Sequence, residues 1–68
     1  MYSIKLNGQS VSTNNNNLID FLEKQHIDIT KKGIAIAINE RVISRPEWEN
    51  TILNNCDIVE VVRPFQGG

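Results

Sequence analysis

Few residues in this 68-residue chain have a type and spacing that chemistry could use. Nucleophilic catalysis needs a Ser or Cys beside a base that a third group orients, and the one histidine, His26, has no orienting partner nearby in sequence. It falls at the end of an amphipathic stretch, where an imidazole can meet the last carbonyls of a helix, and no second His or neighbouring Cys could share a metal with it. Cys56 is the one cysteine, so no internal disulfide can form and a reducing compartment is permitted. As a sulfur-transfer or redox thiol it would need a depressed pKa; a half-exposed spectator thiol is the simpler reading. Lys31-Lys32-Gly33 lacks the glycine spacing and strand-to-helix context of a phosphate cradle and reads as a turn. The carboxylates at 47–49 and on the helix are spaced as solvated surface, not as a paired acid and base. The expectation is a chain that is not an enzyme, holds no metal, and binds no cofactor of its own.

The group that remains is the terminal carboxylate. With glycine at about 7% of residues, two in succession at a given place arise by chance at about 0.5%, and here Gly67-Gly68 closes the chain. An ordinary frayed tail would look the same. A carboxylate acylates poorly because its charge repels nucleophiles, so it must first become a mixed anhydride, for instance with ATP, inside another protein's active site. A tail of Phe65, Gln66, Gly67 and Gly68 could thread into such a site, since two residues without Cβ leave the terminal carbonyl open to approach. Activated in this way, Gly68 can accept sulfur and leave as a thiocarboxylate, or accept an amine and leave as an isopeptide.

Composition and length argue against self-contained catalysis. Seven Lys and Arg against eight Asp and Glu give a net charge of -1, with no block of one sign to attract nucleic acid. A chain this short buries only about 60% of its unfolded surface, too little for a deep pocket beside a core. The longest apolar run, 33–38, falls far short of the ~20 residues of a bilayer span, and residues 1–17 lack the layout of a secretion signal. A cytoplasmic protein, monomeric when free and without a membrane partner, is expected.

The elements that must carry the tail follow from periodicity. Tyr2, Ile4 and Leu6 alternate with polar residues, and Asn7-Gly8 favours a type I′ turn. The two runs 2–6 and 9–13 therefore form a hairpin that pairs Leu6 with Gln9, Ile4 with Val11 and Tyr2 with Thr13. Asn14 to Asn17 is a polar connector; with nine Asn and ten Ile in the chain, it reflects compositional bias more simply than a binding loop. Asn17 can cap a helix over roughly 18–26, with Asp20 at its third position and Leu18, Phe21 and Leu22 on one face. Ile34, Ile36 and Ile38 alternate with Ala35 and Ala37, giving a strand with one bulky and one flat face. Asn39-Glu40 is a tight turn, and 41–43 returns as a short strand that Pro46 stops. Ser44 to Trp48 resembles a helical first turn capped by Ser44, with Ile52 and Leu53 as its inward side and Asn54-Asn55 as its end. The last strand, 58–62, is apolar on both sides except at Glu60, which places it near the middle of the sheet.

The order β-β-α-β-β-β is that of an α+β fold, the ubiquitin-like β-grasp: a mixed sheet of about five strands with one helix across one face and a short helical turn before the last strand. That strand should lie beside the first and parallel to it. The domain is expected over 1–63, with 64–68 as a flexible tail. Partner docking is expected on the sheet face away from the helix, at Ile58, Glu60 and Val62. Arg45 and Trp48 are further candidates, although in so small a domain the Trp more simply closes the open end of the core, with Arg45 stacked nearby.

Gly33-Ile34-Ala35-Ile36-Ala37-Ile38-Asn39, Val42-Ile43, Arg45 and Trp48 three apart, Leu53 to Asp57, Val59-Glu60-Val61 and the closing Gly67-Gly68 resemble the ThiS family, the sulfur carriers of thiamine biosynthesis, over nearly the whole chain. The resemblance implies that Gly68 is adenylated at the expense of ATP by a ThiF-like enzyme, receives sulfur from a donor protein as a thiocarboxylate, and delivers it to a ThiG-like thiazole synthase. Related alternatives are the small subunit of molybdopterin synthase, which the Arg-x-x-Trp element and short length disfavour, and a conjugated ubiquitin-like modifier. Two departures stand out. The family commonly has Gly before the Asp of the last turn, where this chain has Cys56 before Asp57, so Asn55 is expected to take any positive φ. Ser44 replaces a Pro before Arg45, and Pro46 follows it.

Overall fold

The computed structural model describes residues 1–63; the candidate tail, 64–68, lies outside them. Strands β1 (Tyr2–Leu6) and β2 (Gln9–Thr13) form the hairpin with the expected register, Leu6 opposite Gln9, Ile4 opposite Val11 and Tyr2 opposite Thr13. Asn7 and Gly8 both have positive φ, 49° and 84°, as a type I′ turn demands. Helix α1 (Leu18–Lys24) begins where Asn17 Oδ1 accepts the Asp20 amide at 3.1 Å, and it buries Leu18, Phe21 and Leu22.

The helix is two residues shorter than its periodicity suggests. His26 turns left-handed at φ 63°; its amide donates to Glu23 O at 3.0 Å and the Ile27 amide donates to Leu22 O at 3.0 Å. This is a Schellman end, so His26 meets the last carbonyls with its backbone and not with its imidazole. Ile27 follows directly into the core. In the loop beyond, the hydroxyl and amide of Thr30 both donate to Asp28, and they hold its carboxyl below the usual carboxylate pKa.

Strands β3 (Ala35–Ile38) and β4 (Arg41–Ile43) pair through a second type I′ turn, with Asn39 at φ 52° and Glu40 at φ 70°. A 3₁₀ helix, Arg45–Asn50, follows. Ser44 precedes it but does not cap it through its hydroxyl. Proline at 46 has no amide, and the Glu47 amide is taken by the Ser44 carbonyl at 2.9 Å. The Ser44 hydroxyl donates instead to Glu47 Oε1 at 3.0 Å.

The 3₁₀ helix buries Trp48 on its inward side and ends at Asn50, not at 54–55. Past it the chain is extended, so neighbours face opposite ways. Leu53 enters the core while Ile52, expected inside, is 54% exposed. Leu18 and Leu53 donate their amides to Thr51 O and Asn16 O, which ties this stretch to the start of α1.

Strand β5 (Ile58–Val62) is central in the sheet order β2-β1-β5-β3-β4. It runs parallel to β1 and antiparallel to β3. Its apolar residues are buried on one side only: Val59 and Val61 are buried, whereas Ile58 and Val62 are 46% and 63% exposed. The reason is architectural, because the buried cluster joins α1, the sheet and the 3₁₀ helix on one face only. A central position here protects backbone hydrogen bonds, not both rows of side chains.

Candidate functional site

The candidate reacting group, Gly68, and the threading residues Phe65, Gln66 and Gly67 lie outside the described residues. What the structure does describe is the strand from which they emerge. In β5 the peptide groups of Val59 and Val61 face β1, and those of Ile58, Glu60 and Val62 face β3. Neither neighbour is long enough to pair all of them, and asparagine side chains complete the ladder.

At one end, Asn39 donates its amide to Ile58 O at 2.8 Å and its Oδ1 accepts from Ile58 N at 3.0 Å. Its Nδ2 donates to Asp57 Oδ1 at 3.0 Å. At the other end, β1 turns away at Asn7. The Asn7 amide donates to Val59 O at 2.9 Å, and its side chain accepts from Val61 N at 2.8 Å and donates to Val61 O at 3.3 Å.

The turn entering β5 uses the same device. Asn55 Oδ1 accepts from Ser3 N at 2.7 Å, and Cys56 N donates to Ser3 O at 2.7 Å. Asp57 closes this turn by accepting from Asn54 N at 2.8 Å. The positive φ falls on Cys56, at 73°, and not on Asn55. Asn55 is occupied in pairing with β1, and the next residue must reverse the chain. The Cys56 thiol is exposed.

Arg45 and Trp48 act together on the far side of the core. The Trp48 indole is only 3% exposed and donates to Ile43 O at 2.9 Å. The Arg45 guanidinium sits 4.3 Å from the ring centroid and donates to Ile29 O and Lys31 O at 2.7 and 2.9 Å. One side chain thus fastens the loop after α1 to the indole, a cation–π contact reinforced by two charge-assisted bonds.

The sheet face opposite the helix is bare. Ile58, Glu60 and Val62 all project there from β5, with Ala35 and Ala37 beside them and Val42 beyond. A shallow depression of about 150 Å³ is lined by Ala35, Ile36, Ala37, Val42, Glu60 and Val62. Its floor is flat because alanine occupies both outward positions of β3. Such a surface suits contact with another protein better than enclosure of a small molecule. Among the described residues no group of three His, Cys, Asp or Glu is placed to hold a metal, and no helix is long and apolar enough to cross a membrane.

The last strand lies parallel to the first, inside a five-stranded mixed sheet crossed by one helix, which makes this a ubiquitin-like β-grasp protein. The fold is similar to the crystal structure of the thiamine biosynthesis protein ThiS from Geobacter metallireducens. The TM-score is 0.77 at 19% identity, over 97% of this chain and 99% of that one. No match is found among curated proteins. The ThiS family model matches residues 4–68, and the chain belongs to the ThiS family.

Proposed function

We propose that this chain is a sulfur carrier in thiamine biosynthesis and that Gly68 is its working residue. The family match carries the reading, because it extends over residues 4–68, nearly all of the β-grasp domain and the Gly67-Gly68 pair. The described residues support it with an uncovered sheet face on which Val42, Ile58 and Val62 are exposed, a surface of the kind that protein partners use.

In this reading the chain is a protein substrate in the cytoplasm. Its bare face, at Ile58, Glu60 and Val62, docks on a ThiF-like enzyme, and Phe65, Gln66, Gly67 and Gly68 thread into that enzyme's nucleotide site. The Gly68 carboxylate attacks the α-phosphorus of ATP, pyrophosphate leaves, and an acyl adenylate forms. A sulfide equivalent from a donor protein then displaces AMP and leaves a C-terminal thiocarboxylate. A ThiG-like synthase takes that sulfur into the thiazole ring. ATP belongs to the partner's site, and this chain needs no cofactor.

Deleting the gene tests the reading. The strain should require thiazole, and the full chain should restore growth while a chain lacking Gly68 should not. A requirement for molybdopterin instead of thiazole would move the protein to the molybdopterin branch. Full rescue by the shortened chain would reduce it to an interaction domain.

A further inference from the structure

The hydrogen bonds at the end of the sheet give Asn7 a task beyond its turn. Val61 directs both its N–H and its carbonyl toward β1, but β1 has already ended at Leu6 and the chain reverses through Asn7-Gly8. Without a partner those two groups would be the first to loosen where β5 leaves the sheet. The Asn7 side chain satisfies both, with its Oδ1 on Val61 N and its Nδ2 on Val61 O. A carboxamide presents one acceptor and one donor in a plane, as a peptide group does, so it stands in for a strand residue that is not there.

Asn7 is also held for this purpose. Its φ of 49° is fixed by the type I′ turn and its amide is bonded to Val59 O, so backbone and side chain grip β5 two residues apart. We infer that Asn7 is a positioning residue for the terminal carboxylate: it holds the β1-side edge of β5 at Val61 and thereby fixes the direction in which the strand leaves the sheet toward Gly68. This rests on the sulfur-carrier reading. From Val62 to Gly68 there are seven residues, a reach of at most about 25 Å when fully extended. Releasing Val61 leaves the end of β5 held from one edge only, the β3 side, where Val62 pairs with Ala35. The strand end can then pivot about that edge, and the tail gains directions that are unproductive in a partner's site.

Two substitutions separate the turn from the grip. Asn7→Gly keeps the positive φ and removes the amide. Asn7→Asp keeps an acceptor for Val61 N but replaces the donor with a carboxylate oxygen facing Val61 O. Amide exchange by NMR reads the grip, with Phe21 and Ile36 amides as internal reporters of whole-domain stability. In Asn7→Gly the Val61 amide should exchange about tenfold faster relative to those reporters, the worth of one or two net hydrogen bonds. Asn7→Asp should fall between Asn7→Gly and wild type.

Adenylation by a ThiF-like enzyme, followed as pyrophosphate release with ATP and the intact chain, reads the consequence. KM for Asn7→Gly should rise several-fold with kcat within about twofold, because orientation is lost and not the reacting group. Wild-type Val61 exchange in Asn7→Gly, or loosened exchange with unchanged KM, would overturn the positioning role. A wild-type chain that is not adenylated at all would instead overturn the sulfur-carrier reading, and the positioning role with it.

Discussion

Strand β5 supplies both faces of the sheet from one run of apolar residues. Val59 and Val61 lie under the helix, packed into the cluster that includes Ile4, Phe21, Leu22 and Ile36. Ile58 and Val62 point the other way and stand beside Glu60 in water. Nothing in side-chain type separates the two sets, since each is built of β-branched residues. The covered face determines whether the chain folds. The bare face has no folding task, which leaves its composition free to serve recognition.

Substitutions on the two faces should part company. Truncating Phe21 to Ala removes a fully buried ring at the centre of the cluster. A loss of about 3–5 kcal/mol in urea unfolding is expected, enough to unfold much of the population in so small a domain. Ile58→Asp or Glu60→Lys on the bare face should leave the urea midpoint nearly unmoved, within about 0.5 kcal/mol. Each should nevertheless weaken binding to a ThiF-like enzyme about tenfold, as loss of a hot-spot contact would. Equal effects on folding and binding would erase the distinction between the faces.

Smaller effects sharpen the comparison at the edges of the covered layer. Cys56 and His26 hold left-handed backbone without being glycine, a conformation that costs an L residue roughly 1–2 kcal/mol. Cys56→Gly and His26→Gly should each stabilise the fold. The gain should be about 0.5–1 kcal/mol after the added freedom of glycine in the unfolded chain is subtracted. Thermal melts would register this as a modest rise in Tm, and a fall in both would mean that the side chains contribute packing that outweighs the backbone strain.

Sequence reading succeeded where one rule acts locally. Alternation and Asn7-Gly8 define the first hairpin to the residue, and Asn17 caps α1 through the Asp20 amide. It failed where the deciding partner is distant in the chain. The Asn7 and Val61 pairing spans 54 positions, so an asparagine known only as a turn former gave no sign of its second role. Asn39, read as a turn residue, and Asn55, read as the end of the short helix and the holder of any positive φ, likewise complete strand ladders with their side chains. The apolar character of β5 marked its central place in the sheet, but hydrophobicity alone does not report which of its two rows is covered. Arg45 and Trp48 were visible by spacing, but only the fold shows the guanidinium stacked on the indole and bonded to the loop after α1.

The proposed chemistry turns on a single atom, the carbonyl carbon of Gly68. Mass spectrometry of the intact chain after incubation with a ThiF-like enzyme, ATP and a sulfur donor tests it most directly. The predicted result is the mass gain of sulfur replacing one oxygen, located at Gly68 and abolished when one residue is added after it. Equal modification of the extended chain, or an unchanged mass for the native chain in an assay that modifies an established sulfur carrier, would contradict it.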